Sequence, residues 1–165
     1  MKSLYQFEYQ SPVGILRIIH DGTHVVKLLT PLQVSELETV AVSRNDPVIA
    51  TVCAWLDAYF TGNCPSVDHL PLRLEGTPFQ LFVWQRLSRI PCGQTVTYGQ
   101  IAKEYAQIKG LPKMSAQAVG QAVGANPISI IIPCHRVIGS NGQLTGYAGG
   151  IACKHWLLTH EGVVL

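Results

Sequence analysis

Pro133-Cys134-His135-Arg136 sets a thiol, an imidazole and a guanidinium side by side, at the end of the apolar run Ile128-Ser129-Ile130-Ile131-Ile132. A strand-like run halted by proline has to turn there. A thiolate attacks carbon, and a nearby imidazole or cation favours that form over the neutral thiol. Residue type alone reads Cys134 as an ordinary buried cysteine, because free cysteine behaves as a small hydrophobe. Its neighbours argue for a reactive one. Adjacent side chains on a strand point to opposite faces, so a turn or a bridging water must link His135 to Cys134. Glu161 is one of two acids after Gly76. It is either the group that orients the imidazole or a solvated carboxylate at the end of an apolar helix over 151–160.

Those residues need a frame. Thr77-Pro78-Phe79-Gln80 and Thr97-Tyr98-Gly99-Gln100 are both capping boxes, in which a hydroxyl and an amide satisfy otherwise orphan backbone donors. The first opens a helix with Phe79, Phe82, Val83 and Leu87 inward, and the second a short helix through Tyr105. Ser115 caps another running to about Gly124, and these last two are spaced as a helix-turn-helix. Ala116, Gly120 and Gly124 place small residues on one side of the later helix, where core packing is the simpler reading and close approach of another backbone the alternative.

Upstream, Tyr5, Phe7 and Tyr9 alternate with polar residues as a half-buried strand, ending in the turn Ser11-Pro12-Val13-Gly14. Strands over 15–19 and 24–29 complete an antiparallel meander. Asp46-Pro47 then starts a helix with the apolar stripe Val48, Val52, Trp55, Leu56 and Tyr59, closed by Gly62. From 61 to 75 the chain is rich in turn formers, which places a lobe boundary there. The expected organisation is α+β, with a sheet lobe over 1–75 and a mostly helical lobe over 76–165.

With 47% apolar and 13% charged residues among 165, the chain is expected to fold around a real core. No uninterrupted apolar stretch approaches the roughly 20 residues of a membrane span. The start lacks the apolar segment of a secretory signal, and the five cysteines are an odd number without framework spacing. A reduced, cytoplasmic protein is expected, with no metal, because no C-x-x-C pair or histidine cluster supplies ligands. Charge is uneven: residues 1–75 carry 5 basic and 8 acidic side chains, net −3, and residues 76–165 carry 7 and 2, net +5. A basic second lobe suits a polyanion.

Pro133-Cys134-His135-Arg136-Val137, preceded by Asn126-Pro127 and followed by Gly142, Gly146-Tyr147 and Gly149-Gly150, resembles the O6-alkylguanine-DNA alkyltransferases, the methylated-DNA:protein-cysteine methyltransferases. The likeness is continuous over about 76–162. In the first lobe it is weaker, through Ser11-Pro12-Val13-Gly14 and Tyr59-Phe60, and implies the family's small ribonuclease-H-like sheet domain.

The resemblance implies single-turnover repair without cofactor: transfer of an alkyl group from O6 of guanine, with O4 of thymine as a further candidate, in double-stranded DNA to Cys134, by a monomer. His135 would activate the thiol through a water, Glu161 would orient His135, and Asn126 would join the DNA-binding helix to the active-site segment. Tyr98 would hydrogen-bond N3 of the base and help turn the phosphate, while the carbonyls of Cys134 and Val137 hold the exocyclic amine. The Ala148 backbone would face O6, with Tyr147, Gly149 and Ser129 shaping the pocket wall. Ser129 stands where the family commonly has proline. An enclosed sulfur requires the base to flip out of the duplex.

DNA contacts would come from Ser115, Gln117, Ala118 and Gly120 of the recognition helix in the minor groove, with Lys113 and Arg136 as cations. Here the chain departs from the family, whose Arg-Ala-Val-Gly reads Gln117-Ala118-Val119-Gly120. The turn 106–114 is also longer than the family norm and brings Lys109 and Lys113 to the helix start. The alternative is an alkyltransferase-like protein that binds flipped lesions, or a member that has drifted from duplex repair; relatives of the first kind lack the acceptor thiol. A thiol hydrolase and a purely structural DNA-bending module fit the motif less well.

Overall fold

The computed structural model describes residues 2–165, which divide into two compact units. One comprises the chain up to Leu74 together with Pro127–Ile131, and the other comprises Glu75–Asn126 and Ile132–Leu165.

In the first unit β1 (Tyr5–Ser11), β2 (Gly14–His20) and β3 (Val25–Leu29) form the expected antiparallel meander. The β1–β2 turn needs Gly14, which sits at φ +106°, where a Cβ would also strike the Pro31 ring at 2.7 Å. The sheet is not wholly antiparallel. A two-residue strand, β4 (Val40–Ala41), joins the outer edge of β1 in parallel, giving the order β3-β2-β1-β4. Helix α1 (Pro47–Phe60) begins as its sequence dictates, with the Asp46 carboxylate accepting from the Val48 and Ile49 amides. Leu16, Ile18, Ile19, Val25 and Leu28 of the sheet and Ile49, Val52 and Leu56 of α1 have no exposed surface and form this unit's core.

The apolar run before Pro133 is not a strand. The Leu28 amide donates to the Pro127 carbonyl and the Ser129 amide to the Leu28 carbonyl, so one isolated bridge forms beside β3. Ile130 then turns the chain at φ +71°, a left-handed conformation that a β-branched side chain adopts only under compulsion. Its complete burial supplies that compulsion.

The second unit carries α2 (Pro78–Leu87), β5 (Val96–Thr97), α3 (Tyr98–Lys109) and α4 (Ala116–Gly124). A 3-10 turn (Cys134–Arg136), β6 (Val137–Ile138) and α5 (Ile151–His160) follow. Both capping boxes form, at Thr77 and Thr97, and the Ser115 hydroxyl accepts from the Ala118 amide. The α2 face includes Trp84 beside the expected residues. Val83, Trp84 and Leu87 are buried, while Phe79 and Phe82 lie edge-on against Tyr105. Trp84 ties α2 to α4 by donating its indole N–H to the Ala122 carbonyl at 2.8 Å. Truncating so buried an aromatic costs about 3–5 kcal/mol. Helix α3 runs past Tyr105 and stops at Gly110, whose φ of +66° ends it, with the Leu111 amide returning to the Ala106 carbonyl.

No helix among the described residues is long and apolar enough to cross a membrane. Cys53 and Cys134 are buried free thiols, and Cys153 is a partly exposed one.

Candidate active site

Two short elements bring the chemistry together in the second unit. Pro133 ends the preceding segment and the chain closes into a 3-10 turn, with the Val137 amide donating to the Cys134 carbonyl. Beyond the turn β6 pairs in parallel with β5, Val96 beside Val137 and Thr97 beside Ile138. Tyr98 follows at the first position of α3.

His135 is fully buried, and its Nε2 lies 2.6 Å from Glu161 Oε2. Arg136 holds the same carboxylate through Nε to Oε1 at 2.7 Å and Nη2 to Oε2 at 3.1 Å, and donates Nη1 to the Ile90 carbonyl at 2.6 Å. The Glu161 side chain has no exposed surface. Burial works against its anion, but the hydrogen bonds from His135 and Arg136 outweigh that and hold the carboxyl at about 2. Burial pushes His135 below its usual value, with Glu161 opposing, which favours the neutral imidazole that can accept a proton. Its Nδ1 is buried and meets no hydrogen-bonding protein atom.

Cys134 is 5% exposed, and burial pushes its thiol upward. Hydrogen bonds from the Asn126 and Tyr147 side chains and the charge of Lys154 pull the other way, all favouring the thiolate. Asn126 is itself fixed by donating Nδ2 to the Ile132 carbonyl at 2.8 Å. It lies just past Ala125, the C-cap of α4, so it joins the helix end to the sulfur.

Lys154 was not singled out by sequence, where a lysine in a ten-residue helix reads as a solvated side chain. It is wholly buried, with Nζ donating to the Val137 carbonyl at 2.6 Å and the Thr145 carbonyl at 3.1 Å, and lying 3.5 Å from the Tyr98 hydroxyl. Burial lowers it to about 8, opposed by Cys134. The available signal was its place between the inward Cys153 and Leu157 of an apolar helix. Tyr147 is half-buried, Ala148 exposed and Gly149 buried in the loop before α5, where the Gly150 amide donates to the Tyr147 carbonyl. Ser129 lies in the first unit, donating its hydroxyl to Gln33 Oε1 at 3.2 Å.

On α4, Ala116, Gln117, Gln121 and Gly124 are exposed, and Ala118 and Gly120 partly so. The small-residue side is therefore open surface and not core. A Cβ on Gly120 would meet the Tyr98 ring at 3.8 Å, which places Tyr98 beside that face. Ser115 and Lys113 are exposed at the helix start. Arg136 is not among them. Its guanidinium is committed to Glu161 and Ile90 with a side chain only 11% exposed, which corrects its expected role as a DNA contact. Among the described residues no group of His, Cys, Asp and Glu is placed to hold a metal ion.

The family model described as 6-O-methylguanine DNA methyltransferase, DNA binding domain, matches residues 78–163, and that described as its ribonuclease-like domain matches residues 4–74. The methylated-DNA–protein-cysteine methyltransferase of Shigella flexneri is 56% identical over 67% of this chain and 61% of its own length. The first relatives are thus matched over about three fifths of their length. The like-named protein of Methanosarcina acetivorans is 43% identical over 96% of this chain and 99% of its own. The crystal structure of Mycobacterium tuberculosis OGT in complex with DNA superposes with a TM-score of 0.83, at 39% identity, covering 95% of this chain and 92% of that one.

Proposed function

The chain belongs to the 6-O-methylguanine DNA methyltransferase family, and on that footing we propose that it repairs alkylated DNA directly, by moving the alkyl group from O6 of guanine to Cys134. The observation that carries this reading is the buried relay of Cys134, His135 and Glu161, with the Nδ1 of His135 left for a water to bridge toward the sulfur. The thiol proton passes through that water to His135, whose positive charge Glu161 stabilises. The sulfur then attacks the alkyl carbon in line with the C–O6 bond. That bond's electron pair stays with O6, and guanine takes up one proton, so the thiol proton balances the reaction. A thioether has no easy route back, and each molecule acts once.

The base has to reach an enclosed sulfur, so it leaves the stack. Tyr98, beside the open face of α4 and within reach of Lys154, is placed to donate its hydroxyl to N3 of the base and return that proton through Lys154. The carbonyls of Cys134 and Val137 accept from the exocyclic amine, the latter alongside Lys154. Tyr147 and Gly149 close the pocket and the Ala148 amide faces O6. Helix α4 meets the duplex through Ser115, Gln117, Ala118 and Gly120, aided by Lys113. The protein acts as a monomer in the cytoplasm. The retained thiol, set among hydrogen-bond donors, favours transfer over lesion binding alone.

A duplex with one labelled O6-methylguanine tests the proposal. Label uptake by protein is expected to saturate at one methyl per chain and to release unmodified guanine within the DNA. Continuous turnover, or lesion binding without uptake, contradicts it.

A further inference from the structure

Gly93 backs onto the end of the relay at Glu161. The turn between α2 and β5 closes with the Gln94 amide on the Pro91 carbonyl, and its third residue, Gly93, has φ +82°. That left-handed value favours glycine at this place in a turn. A second demand falls on the same residue, because a Cβ there would lie 3.1 Å from the backbone carbonyl oxygen of Glu161. Glu161 has little freedom to give way: it caps α5, with its amide on the Leu157 and Thr159 carbonyls.

The residue before the turn also reaches the relay. Ile90 is buried past the end of α2, with its amide on the Leu87 carbonyl, and its own carbonyl accepts from Arg136 Nη1 at 2.6 Å. With that nitrogen fixed, the planar guanidinium directs Nε and Nη2 to the two Glu161 oxygens. Beyond the turn, β5 pairs with β6 directly after the 3-10 turn, Val96 beside Val137. The segment 90–97 is thus packed on both Arg136 and Glu161, yet it supplies no reacting atom.

We infer that Gly93 is a positioning residue for the transfer: having no side chain, it lets the end of α5 close on the turn 91–94 and, together with the Ile90 carbonyl, sets the Glu161 carboxylate against His135 in one geometry. The inference rests on the repair reading above and adds to it the element that aligns the relay.

The consequence is readable in pH dependence. Glu161 and Lys154 face His135 from α5 and its end, and Cys134 and Arg136 from the 3-10 turn, while α2 commits its Arg86 to Glu104. Glu161 raises the titration of His135, and Arg136 and Lys154 lower it. The His135–Glu161 contact, already at 2.6 Å, can only lengthen when the Glu161 backbone is displaced, so His135 should then titrate lower.

Single-turnover transfer from a duplex carrying O6-methylguanine, followed across pH with the full chain, tests the inference. In Gly93→Ala the rate is expected to fall roughly tenfold, since a misplacement of about 1 Å costs about a hundredfold and this one is smaller. Its acidic limb should move to lower pH, with lesion affinity unchanged. Gly62→Ala is the control, because Gly62 has φ +101° and nothing within 4 Å of an added Cβ. It should lose stability through backbone strain and keep the parent rate and limb. A parent rate in Gly93→Ala overturns the inference, as does slowing with an unmoved limb or equal slowing in Gly62→Ala. Where Gly93→Ala fails to fold, Gly93→Asn carries the same Cβ on a residue that accepts the left-handed backbone, and it must fold and show both changes. Each of these contrary results leaves the repair reading standing, whereas a parent chain that takes up no methyl overturns both.

Discussion

Arg136 and His135 share one carboxylate: Glu161 accepts from Arg136 Nε at 2.7 Å on one oxygen and lies 2.6 Å from His135 Nε2 on the other. The guanidinium keeps the carboxylate anionic and fixes its plane, so the imidazole has one orientation in which its remaining nitrogen is free to take a proton. Arg136 is thus a positioning residue. Its positive charge also holds His135 down, while Glu161 and the neighbouring Cys134 and Lys154 are the other titrating groups around the ring. In Arg136→Gln, His135 should titrate higher and the acidic limb of the single-turnover rate should move to higher pH. Arg136→Lys should recover part of the shift. A slower variant with an unmoved limb would reduce Arg136 to a packing role.

His135→Ala removes the proton acceptor. The transfer rate at neutral pH is expected to fall by about a hundredfold or more, the usual contribution of a positioned general base. Stopped single-turnover reactions with lesion duplex measure it, and a loss under threefold contradicts the relay.

The same carboxylate links the site to stability. The folded-state value of Glu161 is depressed from 4.5 to about 2. Its contribution is therefore fully present above 4.5 and is lost as pH falls toward about 2. Glu161→Gln, which leaves Arg136 buried without its counter-charge, should cost about 3–5 kcal/mol at neutral pH and flatten the decline of stability between pH 4.5 and 2. Urea unfolding at several pH values checks both.

Lys154 should set the basic limb. Buried to a value of about 8, it carries its charge at neutral pH and loses it above that value. Transfer should slow as pH rises past 8, and Lys154→Met should be slow throughout without that limb. A persistent limb near 8 in the variant would assign it to another group.

Gln117→Arg restores a cation at the start of α4. Duplex affinity should rise and the salt slope steepen by about one unit. An unchanged affinity would mean that Lys113 or the long turn before α4 already compensates.

Local signals made most of the frame legible. Asp46-Pro47, Thr77-Gln80, Thr97-Gln100 and Ser115 each satisfy amides within a few residues of themselves, so the starts of four helices could be read directly. The α+β class and its two element groups followed. What escaped depends on distant partners. Ile128–Ile132 has a strand's composition, yet the chain turns at Ile130 and makes a single isolated bridge there. The two-residue strands β4, β5 and β6 exist because of pairing partners 35 or more residues away, and no local period announces them. Arg136 and Lys154 were misread or missed for one reason: a charge is presumed solvated until its counter-charge or carbonyl partners appear, and those lie 9 to 46 residues off.

The most direct test of the central claim is intact-protein mass after reaction with excess duplex carrying one O6-methylguanine, followed by peptide mapping. The account predicts one added methyl, on the sulfur of Cys134, and none in Cys134→Ser. A methyl found on Cys153 or elsewhere, or acceptance that persists in Cys134→Ser, would contradict it.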